Sequence, residues 1–364
     1  MATDDLIGKI QTVSGPINPF DLGFTMTHEH FQFSSYWKGK RRAYHWRGTP
    51  DWVKKKQNEP IRLDNLWWIR QYPYSNIENV NAVDEYEAWD EEINFYLQNG
   101  GRSIVDASCI GIGRDVKVLK RLQDTTGVNI IAGTGWYVNA THPREVEYMT
   151  EEELVNRMVE EITVGADGST TKCGVIGEIG CTWPLRPREK KVLRATAAAQ
   201  TLLGCPVLIH PGRDVTAPRE ILRVLQEAGG NIGKTVMSHM DRCVTTTEQL
   251  LDFASLGSYV EFDLFGWEVS NYQMSPDIDF LSDAQRIAFF QDLLAEGYED
   301  KMVMSHDIHR KCQLMKYGGH GFSHILLNVI PKMLRKGITQ NQIDKITIQN
   351  PRRWLTFEQS KSKL

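Results

Sequence analysis

The chain has 364 residues, 41% hydrophobic and 24% charged, with a formal net charge of −4. This is the balance of an ordinary soluble globular protein, long enough for one large barrel with insertions or two average domains. A small negative charge gives no electrostatic footprint for nucleic acid, no apolar run approaches the roughly 20 residues that cross a bilayer, and MATDDLIGKI lacks the parts of a secretory signal.

The six cysteines form no CxxC pair and no dense framework, as expected of reduced thiols in an intracellular protein. A short hairpin from Ile7 to Pro19 is expected within residues 1–22. Eight strand-like runs follow: Phe24–His28, Ser103–Ala107, Asn129–Gly133, Val175–Ile179, Pro206–His210, Thr235–His239, Tyr259–Asp263 and Met302–His306. Helical patterns lie between them at Val83–Gln98, Asp115–Thr126, Thr150–Val164, Arg186–Leu203, Ala217–Glu227, Thr245–Ala254 and Leu281–Ala295, and a further helix is expected near Ile325–Leu334. Strands alternating with helices predict a parallel sheet with right-handed crossovers. Eight such units predict an α/β fold of the closed (β/α)₈ TIM-barrel type, with residues 1–364 forming a single barrel domain. Neither a G-x-G-x-x-G after a strand nor a G-x-x-x-x-G-K-S/T is present, which removes the main support for dinucleotide and P-loop readings.

Residues 31–82 form the longest irregular stretch, basic and rich in tryptophan. An insertion after a barrel strand overhangs the mouth, so it is either a lid or interface, or a loop packing its tryptophans on the barrel wall. The glycine-rich Gly318–His324 is a loop whose position allows a place at the site.

Polar groups close five of the apolar runs: His28 and His30 in FTMTHEH, Glu178 in GVIGEIG, His210 in PVLIHPG, His239 in TVMSHMD and Asp307 in MVMSHDI. Strand C-termini are where a parallel barrel carries its active site. Four imidazoles and two carboxylates suit two divalent metals with a position left for water. His28 and His30, two apart on one strand, face the same way and form one site with Asp307. Glu178 is expected to bridge to a second metal on His210 and His239. Asp307 is the expected catalytic residue, taking a proton from the attacking water and passing it to the leaving group.

With these residues in THEH (Thr27–His30), GEIGC (Gly177–Cys181), HPGR (His210–Arg213), SHMDR (Ser238–Arg242), HDIH (His306–His309) and YGGHGFSHI (Tyr317–Ile325), the whole chain resembles the amidohydrolase superfamily, specifically its phosphotriesterase-related branch of animals. Bacterial phosphotriesterases bridge their metals with a carboxylated lysine on strand four, where this sequence has Glu178; Lys172 lies six residues upstream. A histidine used in proton relay is replaced by Leu264 after Asp263, and Arg242 stands where a second relay acid is expected. These departures argue against phosphotriester hydrolysis as the native activity. Tyr137 in GTGWYVNATHP resembles the tyrosine that related lactonases point at the metals.

The resemblance implies a binuclear hydrolase of small N-acyl amides, N-acetyltaurine to acetate and taurine above all and other N-acetyl amino acids besides, with a lactonase or promiscuous phosphotriesterase as the alternative. Two divalent ions are expected, zinc first, with Mn, Co and Fe accepted by the same donors. A distal sulfonate or carboxylate calls for an arginine. Arg213 and Arg242 are the candidates for substrate binding together with Tyr137 and His309, and Arg310 and Lys316 are further ones. The expected partner is a small molecule, not nucleic acid or a membrane, and a homodimer is compatible with the family. The location is cytoplasmic, or peroxisomal if Ser362–Lys363–Leu364 is read as an address.

Overall fold

Eight short strands, each paired in parallel with the next, run around one axis. They are β1 (Thr25–Glu29), β2 (Ser103–Asp106), β3 (Asn129–Thr134), β4 (Val175–Gly180), β5 (Val207–His210), β6 (Thr235–Met237), β7 (Tyr259–Phe262) and β8 (Met302–Met304). This computed structural model describes residues 4–34, 36–37, 40–41, 43, 45–46, 48–83, 85–270 and 272–360. The expected address Ser362–Lys363–Leu364 lies outside them. Helices α1 (Tyr86–Gln98), α2 (Val116–Thr126), α3 (Glu151–Thr163), α4 (Pro187–Leu203), α5 (Ala217–Glu227), α6 (Thr247–Ala254) and α7 (Asp283–Ala295) follow the first seven strands in turn. Their starts are written locally. Asp115 accepts from the backbone N–H groups of Lys117 and Val118, and Thr150 and Glu153 form a capping box.

Alternation along the strands divides the core. Val105, Ile131, Val175, Leu208, Val236 and Val303 fill the barrel, while their neighbours Ile104, Ile130, Ile176, Ile209, Met237 and Met302 pack in the outer core that includes the helices. Ile10, Leu22, Trp354 and Leu355 belong to the inner cluster. The N-terminal hairpin, Ile10–Thr12 paired with Gly15–Ile17, and the C-terminal helix Asn350–Leu355 therefore plug the bottom, leaving the other end for chemistry.

Two strands stop earlier than the apolar runs suggest. His239 and Asp307 adopt φ of 55° and 53°, left-handed values that end a strand and that hydrophobicity cannot reveal. The helix expected near Ile325–Leu334 begins as a π-helical turn, Ile325–Val329, before Ile330–Arg335. Pro331 has no N–H to give the carbonyl four residues back, and the preceding turn widens. Lys345–Gln349 widens in the same way before Pro351.

Between β8 and β1 the ladder gives way to a side-chain clamp. Asp307 N donates to His28 O (3.1 Å) and His30 N to Ile308 O (3.0 Å). Glu29, pointing away from the barrel axis, accepts from Ser305 Oγ (2.8 Å), His306 N (3.0 Å), His306 Nδ1 (2.9 Å) and Ile308 N (2.8 Å). One buried carboxylate thus ties the end of the first strand to the segment after the last. Glu29→Gln turns an amide N–H₂ towards these donors. A buried donor left unsatisfied costs about 1–3 kcal/mol, so the urea midpoint should fall by that amount of stability with an unchanged m-value.

Candidate metal centre

Local irregularities aim the polar side chains inward. The register between β1 and β2 shifts between Met26 and Glu29, so that Thr27 and His28 both reach the interior network and Glu29 does not. A second shift lies between Ile176 and Ile179 in β4. There Gly177 has φ +138°, and a Cβ on it would stand 2.2 Å from Leu208 O; only glycine lets the strand approach β5 so closely and turn Glu178 into the site.

All six residues singled out in the sequence converge in one buried cluster with Glu178 at its centre. Its Oε2 lies 2.8 Å from His210 Nδ1, 3.5 Å from His28 Nε2 and 3.6 Å from His239 Nε2, and its Oε1 lies 3.4 Å from His30 Nε2. Asp307 Oδ1 is 3.1 Å from His30 Nε2 and 3.8 Å from His28 Nε2. Among the described residues, His28–His30–Asp307 and His28–Glu178–His239 are compact enough to hold a metal ion. His210 sits 2.8 Å from His239 Nε2. Lys172, a poor substitute for a bridging lysine from its place before the strand, is exposed at the bottom of the barrel beside Thr12 and Gln11.

A supporting layer fixes the imidazoles. Asp263 takes His239 Nδ1 at 2.7 Å and His28 Nδ1 at 3.1 Å, and accepts from the His239 backbone N–H. Ser238 Oγ is 3.1 Å from His28 Nδ1 and donates to Glu261, while Ser108 Oγ is 2.9 Å from His30 Nδ1. Three of the four rings therefore commit Nδ1 outward and turn Nε2 to the centre, the arrangement that outer partners impose on metal ligands. His210 is the exception, with Nδ1 inward and Nε2 near Arg242 (3.3 Å) and Tyr137 Oη (3.2 Å).

This donor set fits a cation. Among the described residues, His28 Nε2 is buried with no hydrogen-bond partner, yet it faces two carboxylates. With Nδ1 given to Asp263, a neutral His28 turns a lone pair towards negative charge, which only a proton or a metal relieves. The electrostatics agree. Burial opposes a charged His28, but Glu178 and Asp263 hold its pKa well above the usual value. Burial likewise opposes an ionised Glu178, yet His210 and His28 keep its carboxyl well below the carboxylate range.

Above the cluster lies a cavity of about 270 Å³, small against typical drug-sized pockets. Tyr137, Arg213, Arg242, Asp307 and His309 all line it, but their surroundings differ. His309 Nδ1 is 3.1 Å from Asp307 Oδ1 and its Nε2 is 3.0 Å from Tyr74 Oη. Arg242 donates to Pro211 O at 3.0 Å beneath His210. Arg213 Nε donates to Tyr272 Oη at 2.7 Å, and no ion pair to a carboxylate holds its guanidinium among the described residues. Arg310 is buried behind the wall on the Trp267 ring, 3.7 Å from its centroid, and Lys316 pairs with Glu85. The insertion contributes Phe33, Trp46 and Tyr74 to the cavity and buries Trp68 beside Val53 and Cys312.

Sequence reasoning did not assign Asp263, Ser108, Ser238, Tyr74 or Tyr272 to the site. Asp263 carried a usable signal, since Glu261 and Asp263 alternate on one buried strand. The tyrosines lie in aperiodic loops and carried none.

A family model for the phosphotriesterase family matches residues 8–355. The chain is 52% identical over 355 residues to the N-acetyltaurine hydrolase of Rattus norvegicus, covering 97% of this chain and 99% of that protein. A resiniferatoxin-binding protein from Rhodobacter sphaeroides superposes with a TM-score of 0.89 at 30% identity, covering 96% of this chain and 95% of that one. The phosphotriesterase homology protein of Escherichia coli, with phosphate in its active site, gives 0.74 at 26% identity, covering 92% of this chain and 99% of that one. No helix among the described residues is long and apolar enough to cross a membrane.

Asp263→Asn keeps the shape but cannot accept from both imidazoles. Metal affinity, read by chelator competition with elemental analysis, should fall by roughly 10–100-fold, the usual cost of losing such a partner.

Proposed function

The chain belongs to the phosphotriesterase family, and from that premise we propose that it hydrolyses the amide bond of small N-acylated aminosulfonates and amino acids, N-acetyltaurine to acetate and taurine first among them. One observation carries the reading: a cavity of about 270 Å³ is lined by the acid–imidazole cluster and by a guanidinium, Arg213, that no carboxylate among the described residues pairs with. The 52% identity to an N-acetyltaurine hydrolase over nearly the full length supports it. Two divalent ions, zinc in this reading, held by His28, His30, Glu178, His210, His239 and Asp307, supply Lewis acidity and lower the pKa of water towards neutrality.

The chain's own groups do the rest. Asp307, which His309 and His30 keep as a ready carboxylate against the opposing effect of burial, accepts the proton of the attacking water and returns one to the departing nitrogen. His309, anchored on Tyr74, keeps Asp307 oriented. In this reading Tyr137 Oη, beside His210, donates to the acyl oxygen. Arg213 holds the distal anion with a charge-assisted bond, and Arg242, bonded to Pro211 O, steadies His210. Residues 31–82 act as a roof over a single barrel domain. The substrate is a small molecule, a homodimer is compatible with this reading, and the work is done in the cytoplasm, or in the peroxisome where residues 362–364 serve as an address.

With two metals bound per chain, purified protein should turn over N-acetyltaurine well above any lactone or phosphotriester on the same sample; a preference for lactones would favour the alternative. Asp307→Asn should lower turnover by about 10²–10⁴-fold, the usual loss with a general base, while the folded fraction measured by circular dichroism stays constant. Arg213→Met should raise KM for N-acetyltaurine by about ten- to a hundredfold and spare an uncharged N-acetyl amide, a charge-assisted bond contributing about 1.5–3 kcal/mol. Arg242→Met should lower turnover of both substrates alike.

A further inference from the structure

The cavity over the cluster shares Gly111, Ala140 and Thr141 with a second, larger one of about 600 Å³ between the loops that follow β2 and β3. Pairing of these strands continues past their ends to the Ile110–Trp136 bridge, and Tyr137 N donates to Ile110 O at 3.1 Å. Beyond that point Gly111 of one loop meets Thr141 of the other. Gly111 has φ +113°, and a Cβ on it would lie 2.7 Å from Thr141 Oγ1 and 3.0 Å from Thr141 O. Thr141 therefore sits directly on the Gly111 backbone, its hydroxyl donating to Val138 O at 3.0 Å. Gly111, Ala140 and Thr141, which line both cavities, form the wall between them.

Barrel order decides which part of a substrate meets that wall. Arg213 follows β5 and its partner Tyr272 follows β7, whereas Gly111 and Thr141 follow β2 and β3 on the far side of the mouth. With the anion at Arg213 and the scissile bond over the cluster, the acyl group points towards Thr141. We propose that Thr141, seated on Gly111, is the end wall of the acyl subsite and restricts the enzyme to short acyl chains, the space behind it being able to receive longer ones once the wall is cut back. The inference rests on the amide-hydrolase reading above and on Arg213 as the anion anchor. The bond cleaved is unchanged: water adds across the C–N bond to give a carboxylate and a free amine at every chain length.

The test is kcat/KM for N-acetyl-, N-propionyl-, N-butyryl- and N-hexanoyltaurine with the metal-loaded wild type, Thr141→Ala, Thr141→Ser and Arg213→Met. The wild type should fall steeply beyond propionyl. Thr141→Ala should raise the hexanoyl-to-acetyl ratio by at least about tenfold, each newly buried methylene being equivalent to roughly fourfold. Thr141→Ser, which keeps the bond to Val138, should move it the same way by less and serves if the alanine variant does not fold. Arg213→Met should depress all four substrates without moving the ratio. An unchanged ratio in folded Thr141 variants overturns the proposal. So does a shift that follows amine length instead, seen with N-acetyl-3-aminopropanesulfonate. A wild type inactive on every N-acyltaurine overturns the functional reading itself, and this inference with it.

Discussion

Glu178 and Asp307 are buried among four imidazoles at the end of an apolar barrel, and two carboxylates in such a place need positive charge between them. Much of the polar structure around the mouth answers to that need. Asp263 and Ser108 take the outward nitrogens of three rings, so that the inward ones face the acids. Glu29 cannot face the centre, because the register shift in β1 sends it outward, and there it holds the loop that carries Asp307. Geometry at the centre and closure of the barrel thus come from neighbouring residues on one strand.

Two arginines without carboxylate partners among the described residues divide the work on the opposite wall. Arg310 is buried between Tyr74 and Trp267, and both its terminal nitrogens lack hydrogen-bond partners among the described residues. Its charge rests on ring faces, a favourable contact in a dry environment, and the rings it supports form the cavity wall. Arg213 lies at the cavity surface, and Tyr272 Oη and Met274 Sδ take two of its donors. The first guanidinium is enclosed by its surroundings; the second lines the cavity. Arg286, clamped between Asp241 and Asp283, holds the base of the β7 loop in which Trp267 and Tyr272 lie.

The barrel was legible in the sequence because each strand is a short apolar run and each helix has its own cap and period. The six clustered residues were legible for a related reason: a polar group at the end of a buried strand stands out against what precedes it. What escaped depends on backbone conformation or on contacts distant in sequence. Nothing in TVMSHMD says that His239 leaves the strand in a left-handed conformation. Arg213 and Arg242 occupy matching positions three residues after a histidine, and only the structure separates them, since Pro211 O takes a donor from one and not the other. Tyr74 reaches His309 across 235 positions of chain, a contact that local pattern cannot encode.

The plug at the bottom of the barrel also fixes how the molecule can be handled. Gly8 N donates to Phe357 O and Phe357 N to Lys9 O, while Glu358 N meets Gly204 O and Ser360 Oγ meets Thr201 O. The chain up to residue 360 is therefore laced to the closed end, opposite the mouth. A resin, affinity tag or carrier protein coupled beyond that point grips the barrel by its base and leaves the opening clear for substrate to enter and products to leave.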